Sequence, residues 1–192
     1  MLLIIFLILL LSFNVFPRMM SQDGFHINFA RSYMVDDNII LDADIKMDFS
    51  AEVAEALENG IPLMIVVEVQ LFRERSFWRN VMIKESQRLF ELRYHPLTNI
   101  HEVTNIATGK RYSFNSRQEA MAVLGIINGA HLINKKMLRP ATQYVIQIRT
   151  FPDINYLPLA LRQVAALSSS WYLRSIWYQW KLNLDQGTER IL

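Results

Sequence analysis

Hydrophobic and polar positions alternate along most of this chain, and that alternation predicts strands. From Phe25 to Val35, Phe25, Ile27, Phe29, Tyr33 and Val35 share one face, with Arg31 the exception, which is the pattern of a half-buried strand. Asp36-Asp37-Asn38 then supplies side chains that bond their own backbone and tolerate left-handed conformations. Alternation resumes cleanly from Ile39 to Phe49, with Ile39, Leu41, Ala43, Ile45, Met47 and Phe49 opposite Asp42, Asp44, Lys46 and Asp48. The two runs predict an antiparallel hairpin. Ser50 is suited to cap a short helix in which Val53, Ala56 and Leu57 make an apolar stripe, and Gly60 is suited to end it ahead of Pro62.

Leu63 to Phe72 is apolar on both faces at its start, as expected of a central strand. Val81 to Tyr94 runs back from a turn at Ser76 to Asn80, and its apolar phase switches at Leu89-Phe90, predicting a β-bulge or a change of partner sheet there. Turns at Pro96 to Asn99 and Thr108-Gly109 separate strands over Ile100 to Ile106 and Lys110 to Phe114. Ser116-Arg117-Gln118-Glu119 reads as a capping box opening a helix with Ala120, Met121, Val123, Leu124 and Ile127 on one side and Gly129 just past its end. Gln143 to Phe151 is another strand, Asp153 to Leu167 a loop and short helix containing Pro158, and Trp171 to Leu182 a last strand ahead of a polar tail, 183–192. The expected architecture is mainly β (α+β): one antiparallel sandwich-like domain over 24–182 with two or three short helices.

The N-terminus departs from this pattern. Leu2 to Phe16 is an uncharged apolar run of fifteen residues. As a helix it spans about 22 Å, short of the roughly 30 Å hydrocarbon core of a bilayer. Residues 1–20 are therefore expected to be a signal peptide or a membrane anchor, placing the domain on the periplasmic side of the cell envelope. No Lys or Arg precedes the run and no Ala-x-Ala pattern follows it, so cleaved and anchored forms both stand. Twenty basic and 18 acidic residues, without blocks of like charge, disfavour nucleic acid as a partner. With no cysteine there is no disulfide framework and no thiolate metal site.

Candidate chemistry is sparse. Asp42, Asp44 and Asp48 share a strand face, on which alternate positions lie about 6.5 Å apart along the chain. They lack the glycine turn and distal Glu of a calcium loop, so a solvated face is expected. His95 and His101 flank a turn without a third ligand and are expected to be surface histidines rather than a zinc site. Arg73, Arg75 and Arg79 surround Phe77 and Trp78, a cluster suited to bind anions or stack planar groups, or simply to pair arginine with tryptophan. Trp171, Tyr172, Trp177, Tyr178 and Trp180 are expected mostly to seal the core. The expected interaction surface comprises Arg73, Arg75, Trp78, Arg79, Trp177 and Trp180; no catalytic residue, metal site or cofactor is expected.

Five segments carry a family resemblance: Ala56 to Leu63, Arg73 to Trp78, Leu92 to Thr98, Leu157 to Leu159, and Trp171 to Trp180. In this order the chain resembles the domain of unknown function 4390, a family of bacterial exported proteins. The resemblance implies a small exported or membrane-attached protein, often encoded beside a membrane sensor kinase of the nitrogen-regulation type, and brings no catalytic residues with it. The expected function is a non-enzymatic, envelope-localised module that binds a protein, accessory to such a kinase, and associates with the membrane through residues 1–20. The alternative is a carrier of a lipid or other apolar ligand, with Met64, Val66, Phe72, Phe90 and the C-terminal aromatics lining a cleft between sheets.

Overall fold

The computed structural model describes residues 24–183, so the expected signal or anchor, and all but the first residue of the polar tail, lie outside the described residues. The described chain forms two antiparallel sheets. In the first, β1 (Gly24–Val35) pairs β2 (Asn38–Asp48), which pairs β7 (Ile126–Asn134). The second holds β3 (Leu63–Arg73), β4 (Val81–His95), β5 (Ile100–Asn105), β6 (Arg111–Phe114), β8 (Tyr144–Pro152) and β9 (Tyr178–Lys181), in the spatial order β6-β5-β4-β3-β8-β9. Three short helices, α1 (Ala51–Glu58), α2 (Arg117–Gly125) and α3 (Leu159–Leu167), lie in the connections. The fold is thus the sandwich-like, mainly antiparallel β architecture that the alternation predicts.

The hairpin forms with Asp36 at φ +53°, but β1 is not one continuous face. Ile27 pairs Ile45 and Phe29 pairs Asp44, so an extra residue bulges at Asn28. Beyond it the phase reverses: Phe29 is exposed and Ala30 is buried. Arg31 is therefore no exception, since the bulge puts it and Phe29 on the same outer face.

β7 departs from the sequence reading, which continued α2 through Ile127. The helix stops at Gly125 and the chain turns directly into a strand. At that stop the helix end lies so close to β2 that a Cβ on Gly125 would sit 2.1 Å from the Ile45 carbonyl oxygen. Gly129, at φ +65°, sits where β7 bulges opposite Asp42: Leu41 pairs Ala130 and Ala43 pairs Ile127. Its N–H donates to Asp42 Oδ1 at 2.9 Å. Asp42 also accepts from Arg31 Nε and Nη2 at 3.2 and 3.0 Å and from the Tyr33 hydroxyl at 3.2 Å. Asp42 is therefore buried, against the expectation of a solvated face, because its carboxylate satisfies the bulge.

β3 is the centre of the larger sheet. Leu63, Ile65, Val67, Val69 and Leu71 face the core shared with Ile39, Leu41, Ile45 and Ile133 of the small sheet. The bulge expected at Leu89-Phe90 is absent: β4 stays in register with β3 through both residues, and the register shift comes instead at Ile83, between Lys84 opposite Leu71 and Met82 opposite Phe72. What changes at Phe90 is that β5 joins, with Asn105 opposite. The C-terminal run forms a strand only over Tyr178–Lys181. Before it, Trp171, Leu173 and Ser175 are buried in alternation, and Ser175 reaches β8 through its N–H to the Thr150 carbonyl at 2.9 Å.

Candidate functional site

The outer face of the large sheet, away from the core, carries a polar network on its central strands. Alternation along β3 places Met64, Val66, Glu68, Gln70 and Phe72 there, and the registers bring Gln87 and Glu85 of β4 and Gln147 and Arg149 of β8 beside them. Arg149 donates from Nε and Nη2 to Glu68 Oε2 at 3.0 and 2.7 Å, while the Gln70 amide donates to Glu68 Oε1 at 2.6 Å and Glu85 Oε1 at 3.2 Å. Gln147 Nε2 closes the chain onto Gln70 Oε1 at 2.7 Å. Only 3% of Glu68 is exposed, so its charge depends on these partners. The Gln70 amide beside Glu85 holds that carboxyl below the ordinary carboxylate range. Over the network lies Trp177, its ring 4.2 Å from the Arg149 guanidinium, and Phe151 is flanked by Arg149 and Arg174 at 5.3 and 4.6 Å. Alternation by itself could have flagged Glu68 and Gln70 as polar breaks in an apolar strand; the partners from β4 and β8 have no sequence signal.

The tip of the β3–β4 hairpin is a different kind of surface. Phe77 and Trp78 stand 94% and 79% exposed between exposed Arg75 and Arg79. Among the described residues, arginine–aromatic stacks join Arg31 to Tyr33, Arg149 to Trp177 and Phe151, and Arg174 to Phe151, and none involves Trp78. Arg73, the last residue of β3, pairs Tyr144 and lies at the base of the tip. The structure therefore brings Arg73, Arg75, Trp78 and Arg79 together at one hairpin end, Arg73 on β3 and the others on the loop, and separates the other two residues of the expected surface from it. Trp177 adjoins Arg149, five residues from Tyr144 along β8, or about 16 Å. Trp180 turns inward, packs on the core and donates from Nε1 to Ser32 Oγ at 3.0 Å.

The two histidines also separate. His95 pairs Ile100 at the strand end, whereas His101 is buried against the Tyr94 ring, 4.7 Å away, with Nδ1 lacking a partner. Burial is the main cause pushing its pKa down, with Arg117 adding to this and Glu58 opposing it. No group of three or more His, Cys, Asp or Glu among the described residues could hold a metal ion. A groove of about 570 Å³ opens between β2 and α2, with Asp44, Lys46, Asp48 and Arg117 among its lining. The residues expected to line an apolar cleft do not converge: Met64, Val66 and Phe72 lie on the outer face, and Phe90 packs on the core.

A family model described as a domain of unknown function, DUF4390, matches residues 22–181. The chain belongs to this family. No curated protein and no solved structure matches it. Two of the DUF4390-like segments meet in space: a Cβ on Gly60, within the Ala56 to Leu63 stretch, would lie 4.0 Å from the Pro96 ring and the Tyr94 carbonyl. Of the others, Arg73 to Trp78 forms the exposed tip, Leu157 to Leu159 opens α3, and Trp171 to Trp180 runs along β8.

Proposed function

We propose that this domain is a non-enzymatic binding module of the cell envelope, attached to the membrane through residues 1–20, whose hairpin tip engages another protein. The observation that carries this reading is the pair Phe77 and Trp78, almost wholly in solvent and bracketed by Arg75 and Arg79. Tryptophan and arginine are the side chains most enriched where binding energy concentrates, and a large ring left in water gains most when a partner covers it. The three arginines select an acidic partner surface. The family resemblance supplies the candidate: the extracytoplasmic region of a membrane sensor kinase.

In-cell photo-cross-linking tests this. A photoreactive residue at position 77 of the full chain is expected to give one adduct whose mass identifies that kinase, and Trp78→Ala with Arg79→Ala should abolish it. Absence of any adduct above that given by a photoreactive residue at the buried position 146 would overturn the reading.

A further inference from the structure

Helix α3 is built inside out. Its sequence, Leu-Ala-Leu-Arg-Gln-Val-Ala-Ala-Leu, buries only Ala165 fully, with Leu161 partly buried on the core. The outward residues are Leu159, Ala160, Gln163, Val164, Ala166 and Leu167. At 100° per residue they fill one arc of roughly 160°, and five of the six are apolar. Leu167 is 91% exposed. The single charge of the helix, Arg162, turns the other way, where its Nη2 donates to the Leu157 carbonyl and its Nε is buried without a partner. Tyr172 extends the face, its hydroxyl donating to the Ala166 carbonyl at 3.2 Å, and Ile176 beyond it is 86% exposed. A helix facing only water carries its polar residues outward; this one presents a contiguous apolar surface of the kind that is covered in use.

Two further observations say by what. From Ile154 to Leu184 the chain holds Arg162, Arg174 and Lys181 and no Asp or Glu. Lys181 pairs Val145 at the far end of β8, so the cation beside Tyr172 and Ile176 is the exposed Arg174. The Glu52 carboxylate that the fold brings to the end of α3 is taken up by Ser168 Oγ and Trp171 Nε1, each at 2.8 Å. The chain also arrives there from its apolar start. The Phe25 N–H donates to the Leu173 carbonyl at 3.1 Å, which sets the beginning of β1 beside Tyr172 and Arg174. Seven residues, 17–23, separate the apolar run from Gly24, and even fully extended they reach only about 25 Å. With the run in a bilayer, this end of the domain is held against the headgroups.

We propose that the outward arc of α3, with Tyr172 and Ile176, rests on the surface of an anionic phospholipid bilayer, its apolar side chains between the headgroups and Arg174 at their phosphates. This rests on the membrane-attached placement proposed above. Apolar burial plus attraction of basic residues to anionic lipid is the general basis of such interfacial contacts. Orientation follows from it. β8 runs from Tyr144, beside the hairpin tip, to Pro152, just ahead of α3, a span of about 27 Å. A domain lying on α3 therefore holds Phe77 and Trp78 away from the membrane.

The absence of native cysteine makes single spin labels unambiguous. The 192-residue chain would be reconstituted in vesicles of phosphatidylethanolamine and phosphatidylglycerol with labels at Val164→Cys, Leu167→Cys or Ile176→Cys, and Tyr112→Cys on β6 as the aqueous control. Accessibility to oxygen and to a water-soluble nickel complex reads the depth. The three positions are expected to be open to oxygen and shielded from nickel, the control to be the reverse, and the shielding at 164 to weaken in wholly phosphatidylcholine vesicles. It should vanish in Leu159→Glu with Leu167→Glu, which are exposed positions and should leave the unfolding midpoint unchanged. A chain that floats with the vesicles while all three labels are as open to nickel as the control overturns this inference and leaves the attachment standing; a chain that does not float overturns both. Strong dipolar coupling between labels at Leu9→Cys and Leu167→Cys would instead assign the arc to the chain's own apolar run. Shielding lost below one chain per vesicle would assign it to a second copy, and either result overturns lipid contact.

Discussion

Gly60 and Gly125 are both indispensable, for opposite reasons. Gly60 stands at φ +81° and closes α1 with the N–H of Ile61 to the Ala56 carbonyl and its own N–H to the Leu57 carbonyl, yet a Cβ added there would meet nothing closer than 4.0 Å. Its requirement is conformational, and Gly60→Val is expected to destabilise the domain by more than about 1 kcal/mol, because a β-branched side chain is strained at positive φ. Gly125 has no such backbone; its requirement is space, and Gly125→Ala should cost about 2 kcal/mol or more through the clash with the Ile45 carbonyl. Denaturant midpoints check both, and an unchanged midpoint in either variant would refute that assignment. His101 makes the third residue-scale prediction. Burial favours its neutral ring, so the folded state binds a proton less readily than the unfolded chain. Stability is then fully present above the ordinary histidine pKa, near 6.5, and falls as pH drops below it toward the depressed folded value. His101→Phe, which keeps a ring against Tyr94, should flatten that slope in denaturation curves taken between about pH 7 and 5.

Among the elements, β3 answers to two environments. Its inner face is apolar and its outer face carries Glu68 and Gln70 buried under neighbours from β4 and β8. A buried carboxylate without its cation is costly, so Arg149→Met should destabilise the domain by about 3 kcal/mol. Adding Glu68→Gln should recover part of this, because the stranded charge is gone. Chemical denaturation of the two single variants and the double variant gives the coupling energy directly, and strictly additive losses would mean that the pair contributes nothing as a pair. The element missing from the sequence reading, β7, shows how weak a short periodic signal is. Ala120, Leu124 and Ile127 fit a helical stripe as well as they fit a helix followed by a strand, and only the approach of Gly125 to β2 ends the helix where it does.

For the whole molecule, the decisive question is on which side of the membrane the domain works. The fifteen-residue apolar run predicts export, and the mixed charge that follows offers no strong signal to keep the domain inside. Alkaline phosphatase fused after Leu192 is expected to be active, since it works only after export, and an inactive fusion alongside a fluorescent cytoplasmic one would remove the envelope assignment. N-terminal sequencing of the mature protein then distinguishes a cleaved signal from an anchor. Under the proposals above, an anchored form is the one in which α3 would face the membrane while the hairpin tip reaches a partner.

Local rules sufficed where the determining atoms are close in sequence. The β1–β2 hairpin, the Ser50-capped helix ended by Gly60 and the two-sided strand β3 follow from alternation, a hydroxyl accepting a nearby N–H and one glycine, and all three stand in the structure. The Arg73 to Arg79 cluster was legible for the same reason, as neighbours on one turn. Where the determining contact is distant, composition is silent. Asp42 is buried because β7, 87 residues on, brings the Gly129 N–H to it. His101 is buried by strands and a helix that meet only in the fold, and the inward residues of the C-terminal run change phase, from Trp171, Leu173 and Ser175 to Tyr178 and Trp180, only where the chain joins β8. The apolar residues of α3 were visible as apolar from the start; that they face outward is decided by which side of the helix the core already fills, and that is a property of the tertiary structure alone.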